Sequence, residues 1–317
     1  MSATFPLHPA DTAASRRHVQ RQRGFEVMPH RCHPRLLHIS LAPEVIQAFR
    51  AETAEVDLQN LQYVPFMRFH LARTLARLAG DGFMPTLRSI LTDRDSGGFT
   101  LGGGDSEYVA DSVRLGTAVA HLIGPPNFDA MSGTYYARFS VKDTDASDSY
   151  LRQAYRLFTL HTDGTFVEDA TDWLLMMKIE ERNAVGGESR LLHLDDWEEL
   201  NRFAAHPLAT HAFTYTSPPS KNVSQSVSRP TFFWRDGRPC ICFIDQFVQP
   251  ECLDEAQYLK ELSDSMERSP GTAAIPLPVG EMVVLNNLFW LHGRAPFEKH
   301  PHLHRELMRI RGRFSRS

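Results

Sequence analysis

The segment His161-Thr162-Asp163-Gly164 follows the apolar run RLFTL, and a further histidine, His292, stands in NNLFWLHGR just beyond the run EMVVLNN. Two histidines and one carboxylate converging on one face are the ligand set of non-haem Fe(II) sites, which leave the opposite coordination positions open for a cosubstrate and oxygen. A His-x-Asp at a strand end presents two of those ligands together, and Gly164 permits the sharp turn that must follow. The pattern is not specific by itself. A second His-x-Asp occurs at His193-Leu194-Asp195, but Asp195 or Asp196 there is well explained as an N-cap ahead of the helical WEELNRF, which favours His161 as the ligand. His300, His302 and His304 form another histidine series, but Pro301 and its place between strands make it an exposed loop.

A site of this kind that uses 2-oxoglutarate needs a cation for the far carboxylate of that cosubstrate. Arginine meets it best, because the planar guanidinium pairs bidentately. The last run, RELMRIRGRF, offers Arg305, Arg309, Arg311 and Arg313 at one parity, so a regular strand puts them on one face. Arg311 is the candidate for 2-oxoglutarate and Arg309 for a substrate carboxylate. The two roles are exchangeable, and Arg305 is a third candidate. Such a surplus of cations suits a dicarboxylate substrate beside a dicarboxylate cosubstrate. Lys221 and Asn222, in a polar loop bounded by prolines, could close over the substrate or be ordinary surface. The Gly102-Gly103-Gly104 run lacks the Gly-Lys-Ser/Thr of a phosphate loop and reads as a turn.

The elements that must position these residues change character near residue 134. Before it lie helical patterns: Pro43 to about Leu58, Phe66 to Leu78, and Ser106 to Ile123. After it come short apolar runs that read as strands: TYYARFSV, RLFTLH, DWLLMMKI, SRLLHL, HAFTYTS, EMVVLNN and RELMRIRGRF. TFFWR and RPCICFI flank Asp236-Gly237, a strong hairpin signal. Helices are expected over Asp196 to Phe203 and Leu253 to about Arg268. The fold class is therefore α+β, mainly β, with a jelly-roll or sandwich core braced by helices and a ligand site at its mouth.

The 317 residues suffice for one large core, and nothing resembling a linker divides them. The first 35 residues, with Arg16, Arg17, Arg21 and Arg23, read as a disordered basic arm, and residues 36–317 as a single domain. The formal net charge of −4 shows no basic field for nucleic acid, which weighs against a nucleic-acid demethylase. The four cysteines form no CxxC pair or even framework and read as free thiols. No apolar stretch is long enough for a membrane span, so a cytoplasmic protein is expected.

The stretches AHLIGPPNFDAMSGTYYARF, SDSYLRQ, HTDGTFVED, LLMMKIEE, LLHLDDWEEL, PPSKNVS, IDQFVQP, NNLFWLHGR and RELMRIRG together closely resemble the CsiD family within the clavaminate-synthase-like dioxygenases. The similarity runs from about residue 115 to 312 and reaches back more weakly to about residue 36. It implies a double-stranded β-helix, Fe(II), 2-oxoglutarate and O2. The implied reaction is hydroxylation of glutarate to L-2-hydroxyglutarate, with succinate and CO2 released, in lysine catabolism through glutarate. It further implies a homotetramer, with iron ligands at His161, Asp163 and His292, and matches His193 and Asp195 to a segment that holds no ligand. The rival readings are the same chemistry on another small carboxylic acid and a non-catalytic jelly-roll binding protein.

Overall fold

WLLMMKI, apolar at nearly every position, becomes part of the strand Trp173–Arg182. In the computed structural model both faces of this strand are covered, which is why it lacks the polar alternation of a half-exposed strand. Trp173, Leu175, Met177 and Ile179 join a hydrophobic cluster built with the helices. Leu174 and Met176 point the other way, into a second cluster. The structure describes residues 19–103, 108–129, 132–143, 154–169, 171–217 and 226–315.

Trp173–Arg182 lies inside an eight-stranded sheet. From one edge the order is Gln20–Arg21, Phe25–Pro29, Leu37–Leu41, Gly98–Gly102, Glu281–Asn286, Trp173–Arg182, His304–Gly312 and Ala137–Lys142. All neighbours are antiparallel except Leu37–Leu41 and Gly98–Gly102. Residues of helices Pro43–Thr53, Pro65–Ala79, Phe83–Thr92 and Val109–Ile123 bury one face of this sheet. The other face packs on a four-stranded sheet ordered Ala273–Ile275, Ser189–His193, Trp290–Arg294 and Phe158–His161. The fold is thus a mixed α/β arrangement of many strands, with helices on one side of a pair of facing sheets.

The last strand, His304–Gly312, shows how parity divides labour between the two faces. Met308 and Ile310 enter the cluster shared with the helices. Leu307, Arg309 and Arg311 instead line a cavity between the sheets. Arg305 lines it too, although a register irregularity falls between Glu306 and Leu307. The expected common face therefore holds for three arginines. Arg313 lies beyond the strand, half-exposed and 3.9 Å from Asp169. The Asp236-Gly237 hairpin forms as expected, joining Phe232–Arg235 to Arg238–Ile241, with both turn residues at positive φ (50° and 72°).

Several expectations need correction. The boundary at residue 36 falls inside packed structure. Phe25 and Val27 are buried, Phe25 meets Phe83 edge-on at 5.1 Å, and His33 meets Trp290 at 5.0 Å. Arg35 pairs bidentately with Asp196, both distances being 2.7 Å. A five-residue strand between arginines gives too short an alternation to stand out from a polar arm. Residues 1–18 lie outside the described residues. The first expected helix, Pro43 to about Leu58, ends early at Thr53, and an unanticipated helix, Leu58–Tyr63, follows, capped by the Asp57 carboxylate on Gln59 N. Helix Phe83–Thr92 and strand Gly98–Gly102 were not anticipated, and Gly102 belongs to that strand rather than to a turn. The expected helix at 196–203 is a 3-10 turn, Leu194–Asp196, followed by Leu200–Ala204.

Phe25→Ala tests whether the early strand is part of the core. Removing a buried phenylalanine costs about 3–5 kcal/mol, so the urea midpoint should fall by that equivalent at unchanged m-value. A loss under about 1 kcal/mol, typical of a surface change, would return this segment to an arm.

Candidate functional site

His161 ends the strand Phe158–His161 and stands directly opposite His292 in the neighbouring strand Trp290–Arg294. Antiparallel pairing thus brings together two histidines far apart in sequence, with ring centroids 4.2 Å apart. The Thr159 carbonyl lies 2.8 Å from His161 Nδ1. That places the proton on Nδ1 and leaves Nε2 with a free lone pair.

Asp163 follows where the backbone leaves the strand. Its N–H donates to Asn287 Oδ1 at 2.9 Å, while Asn287 Nδ2 donates to the carbonyls of Asp163 (3.0 Å) and Thr171 (2.8 Å). Gly164 then turns at φ 76°, and a Cβ there would stand 2.2 Å from Thr171 Oγ1. The motif glycine is needed for both its conformation and its lack of bulk. One potential ligand atom from each of His161, Asp163 and His292 lies within 4.8 Å of the others.

The protonation states suit a metal. Burial drives His292 down to about 3, with His161 acting in the same direction, and burial lowers His161 as well. Both imidazoles are therefore neutral, as ligation requires. Burial alone would raise the Asp163 carboxyl, but the guanidinium of Arg309 above all, and that of Arg311, hold it well below the usual carboxylate range. Arg309 Nη1 lies 3.1 Å from both Asp163 oxygens yet hydrogen-bonds only Oδ1. Oδ2 is buried with no hydrogen-bond partner among the described residues. A divalent cation on Oδ2 would give that oxygen the direct partner it lacks. Two neutral histidines and an ionised carboxylate with a spare oxygen fit Fe(II).

The cavity around this cluster is walled by Phe139, Phe158, Phe166, Met176, Phe247 and Leu307. Its cations differ in how they are held. Arg309 is already shared: Nη2 donates to Asp129 Oδ2 at 2.8 Å, Nη1 goes to Asp163, and Phe139 covers its guanidinium at 4.7 Å. Arg311 is buried, its Nε has no partner, and burial followed by Arg309 pulls its pKa down. Arg305 donates from Nη1 to the Gly187 carbonyl at 2.8 Å and lies over Phe297.

A sequence model of CsiD matches residues 25–314. The chain belongs to the CsiD family. It is 48% identical over 301 residues to a glutarate 2-hydroxylase of Salmonella paratyphi B (strain ATCC BAA-1250 / SPB7), covering 94% of this chain and 93% of that protein. An asparagine oxygenase solved with Fe(II), 2S,3S-3-hydroxyasparagine and succinate shares the fold, with a TM-score of 0.70 and 15% identity over 87% of this chain and 93% of that one. The non-heme iron oxygenase OrfP, solved with Fe and alpha-ketoglutaric acid, aligns with a TM-score of 0.64 and 16% identity over the same shares of the two chains.

In this member of the CsiD family the rival motif is structural. His193 is fully buried against Phe289 and Trp290, and its Nδ1 accepts from Asp195 N. The capping side chain is thus the histidine, not an aspartate. Asp195 pairs with Arg94 (2.7 Å) and Arg238 (3.3 Å), and Asp196 with Arg35. His302 is exposed, whereas His304 belongs to the last strand and sits 3.2 Å from Glu180. Glu180, His304 and Glu306 form a second close group, but Arg138 and Arg182 already pair with its carboxylates. Lys221 and Asn222 lie outside the described residues.

Sequence reasoning missed three residues. Asn287 was legible only as an amide at the end of an apolar strand. Asp129 carried no motif. Arg294 lines the cavity and stacks on Phe297 at 5.1 Å, and burial followed by Arg305 lowers it to about 10. Its position two residues beyond His292 on the same strand was the available signal.

Proposed function

We propose that this CsiD-family protein is an Fe(II)- and 2-oxoglutarate-dependent oxygenase that hydroxylates glutarate at C2 to L-2-hydroxyglutarate. The observation that carries this reading is the buried His161–Asp163–His292 cluster opening on a cavity with several arginines. The 48% identical glutarate 2-hydroxylase supports the substrate. The two facing sheets with helices on one side support a double-stranded β-helix. We further place the protein in lysine catabolism through glutarate, as a cytoplasmic homotetramer with one catalytic domain, on the strength of the family resemblance. Among the described residues no helix is long and apolar enough to cross a membrane.

His161, Asp163 and His292 would hold the iron. Bound iron, with O2 and 2-oxoglutarate, supplies the oxidation that converts a substrate C–H to C–OH as 2-oxoglutarate becomes succinate and CO2. The protein's part is to bind, orient and exclude water. The phenylalanines make the cavity apolar, which strengthens each arginine–carboxylate pair. Arg311, with no hydrogen-bond partner on its Nε, takes the far carboxylate of 2-oxoglutarate. A substrate carboxylate falls to Arg305, with Arg309 adding its unpartnered Nε because its other nitrogens are engaged. Coupled formation of succinate and 2-hydroxyglutarate from purified protein, Fe(II), 2-oxoglutarate and glutarate tests the whole reading.

Arg311→Met tests the division of roles. Stripping the partner from a desolvated carboxylate costs about 2–5 kcal/mol, so the KM for 2-oxoglutarate should rise at least ~30-fold, with the glutarate KM much less affected. An unchanged 2-oxoglutarate KM would move the role to Arg305 or Arg309.

A further inference from the structure

We infer that Asp129 is a positioning residue that sets the orientation and charge of the Asp163 carboxylate through Arg309. The inference rests on the reading of His161, Asp163 and His292 as the iron site.

Asp129 is almost wholly buried and is held from every side. Its Oδ1 accepts from Ser132 N at 3.1 Å, its N–H donates to the Thr134 carbonyl at 2.7 Å, and its own carbonyl accepts from Gly133 N at 2.8 Å. The chain before it is tied to the end of the last strand, Asn127 N donating to the Arg311 carbonyl at 2.8 Å and Arg313 N to that of Pro125 at 3.2 Å. Oδ2 of this fixed carboxylate accepts from Arg309 Nη2, and Arg309 Nη1 reaches Asp163. One guanidinium therefore joins two buried aspartates, one expected to hold the metal and the other not.

The arrangement has an electrostatic consequence. Arg309 alone would set a full positive charge 3.1 Å from the carboxylate that must bind a dication. Inside a cavity walled by phenylalanines that charge would act against the metal more strongly than in water. Asp129 offsets that charge, so that Arg309 does not cancel the carboxylate charge of Asp163 at the metal position. Asp129 also fixes Nη2, so Arg309 cannot swing and drag Asp163 Oδ1 with it. Outer partners of metal ligands commonly act in this way.

The test is anaerobic Fe(II) titration of the purified full-length protein as wild type, Asp129→Asn, Arg309→Met and the double variant, with circular dichroism confirming the fold of each. Asp129→Asn should weaken Fe(II) binding by about 10–100-fold. In the Arg309→Met background the same change should shift affinity by no more than about twofold, the scatter of uncoupled sites. Asp129→Glu, which keeps the charge, should retain most of the affinity and stands in for the comparison if the Asn variant fails to fold: its metal affinity must then exceed that of Asp129→Gln. Unchanged affinity in Asp129→Asn overturns the inference, as does equal weakening with and without Arg309. Wild-type Fe(II) binding that is insensitive to His161→Ala removes the iron reading itself, and this inference with it.

Discussion

His161→Ala, Asp163→Ala and His292→Ala are each expected to lower Fe(II)-dependent succinate formation by more than the ~10–100-fold that loss of an outer partner of a metal ligand costs. Each removes one of three arms. Among the described residues no other histidine or carboxylate ligand atom joins the group to take its place. Asp163→Asn is the cleaner form of the middle variant, since Asp163→Ala also strips a partner from Arg309. The control is His193→Ala. That residue caps the 3-10 turn and packs against Trp290, so its loss should cost about 0.5–2 kcal/mol for the cap alone and lower the melting temperature. The turnover of the folded fraction should be preserved. Full activity in His161→Ala with loss in His193→Ala would exchange the two motifs.

The His161-Thr162-Asp163-Gly164 part of the candidate metal site was legible in the sequence because it is local, whereas His292 joins it only through strand pairing. His161, Asp163 and Gly164 are consecutive in role, and strand periodicity placed Arg305, Arg309 and Arg311 on one face. What the sequence could not show was charge pairing over long separations. Arg309 reads as a spare cation until Asp129, 180 residues away, is seen to hold it. The cation excess inferred from the last strand is accordingly smaller than four arginines suggest, since Arg309 is offset by two aspartates and Arg313 points elsewhere. Choosing between the two His-x-Asp motifs has the same character. His193 and His161 have similar neighbours in sequence; the family resemblance favours His161, and strand pairing gives the physical distinction: His161 faces His292, whereas His193 faces Trp290. The strand Phe25–Pro29 was hidden for a different reason. Its partner Leu37–Leu41 supplies the hydrogen bonds and helix Phe83–Thr92 the apolar contact, and neither is a property of five residues taken alone.

Glutarate is expected to give 2-hydroxyglutarate in step with succinate, while succinate and adipate are used at least ~100-fold less efficiently. The reason is the rigidity of the anchors. Arg305 is fixed by the Gly187 carbonyl and the Phe297 ring, and Arg309 by Asp129 and Asp163. These contacts hold both guanidiniums in place, so they do not follow a longer or shorter diacid. A diacid with one methylene too few leaves a carboxylate short of its arginine, and one too many displaces C2 from the reacting position. Leaving a buried charge unpaired costs far more than losing a methylene contact, so the penalty should appear in kcat/KM rather than as a graded preference. Succinate, as coproduct, can still occupy a single anion subsite and should inhibit competitively at high concentration. The measurement pairs mass spectrometry of the hydroxylated product with succinate release (carbon-labelled 2-oxoglutarate separates added from formed succinate) for each diacid at equal concentration. Tight coupling with another acid, and only background decarboxylation with glutarate, would remove glutarate as the substrate while leaving the iron site and the cosubstrate assignment standing.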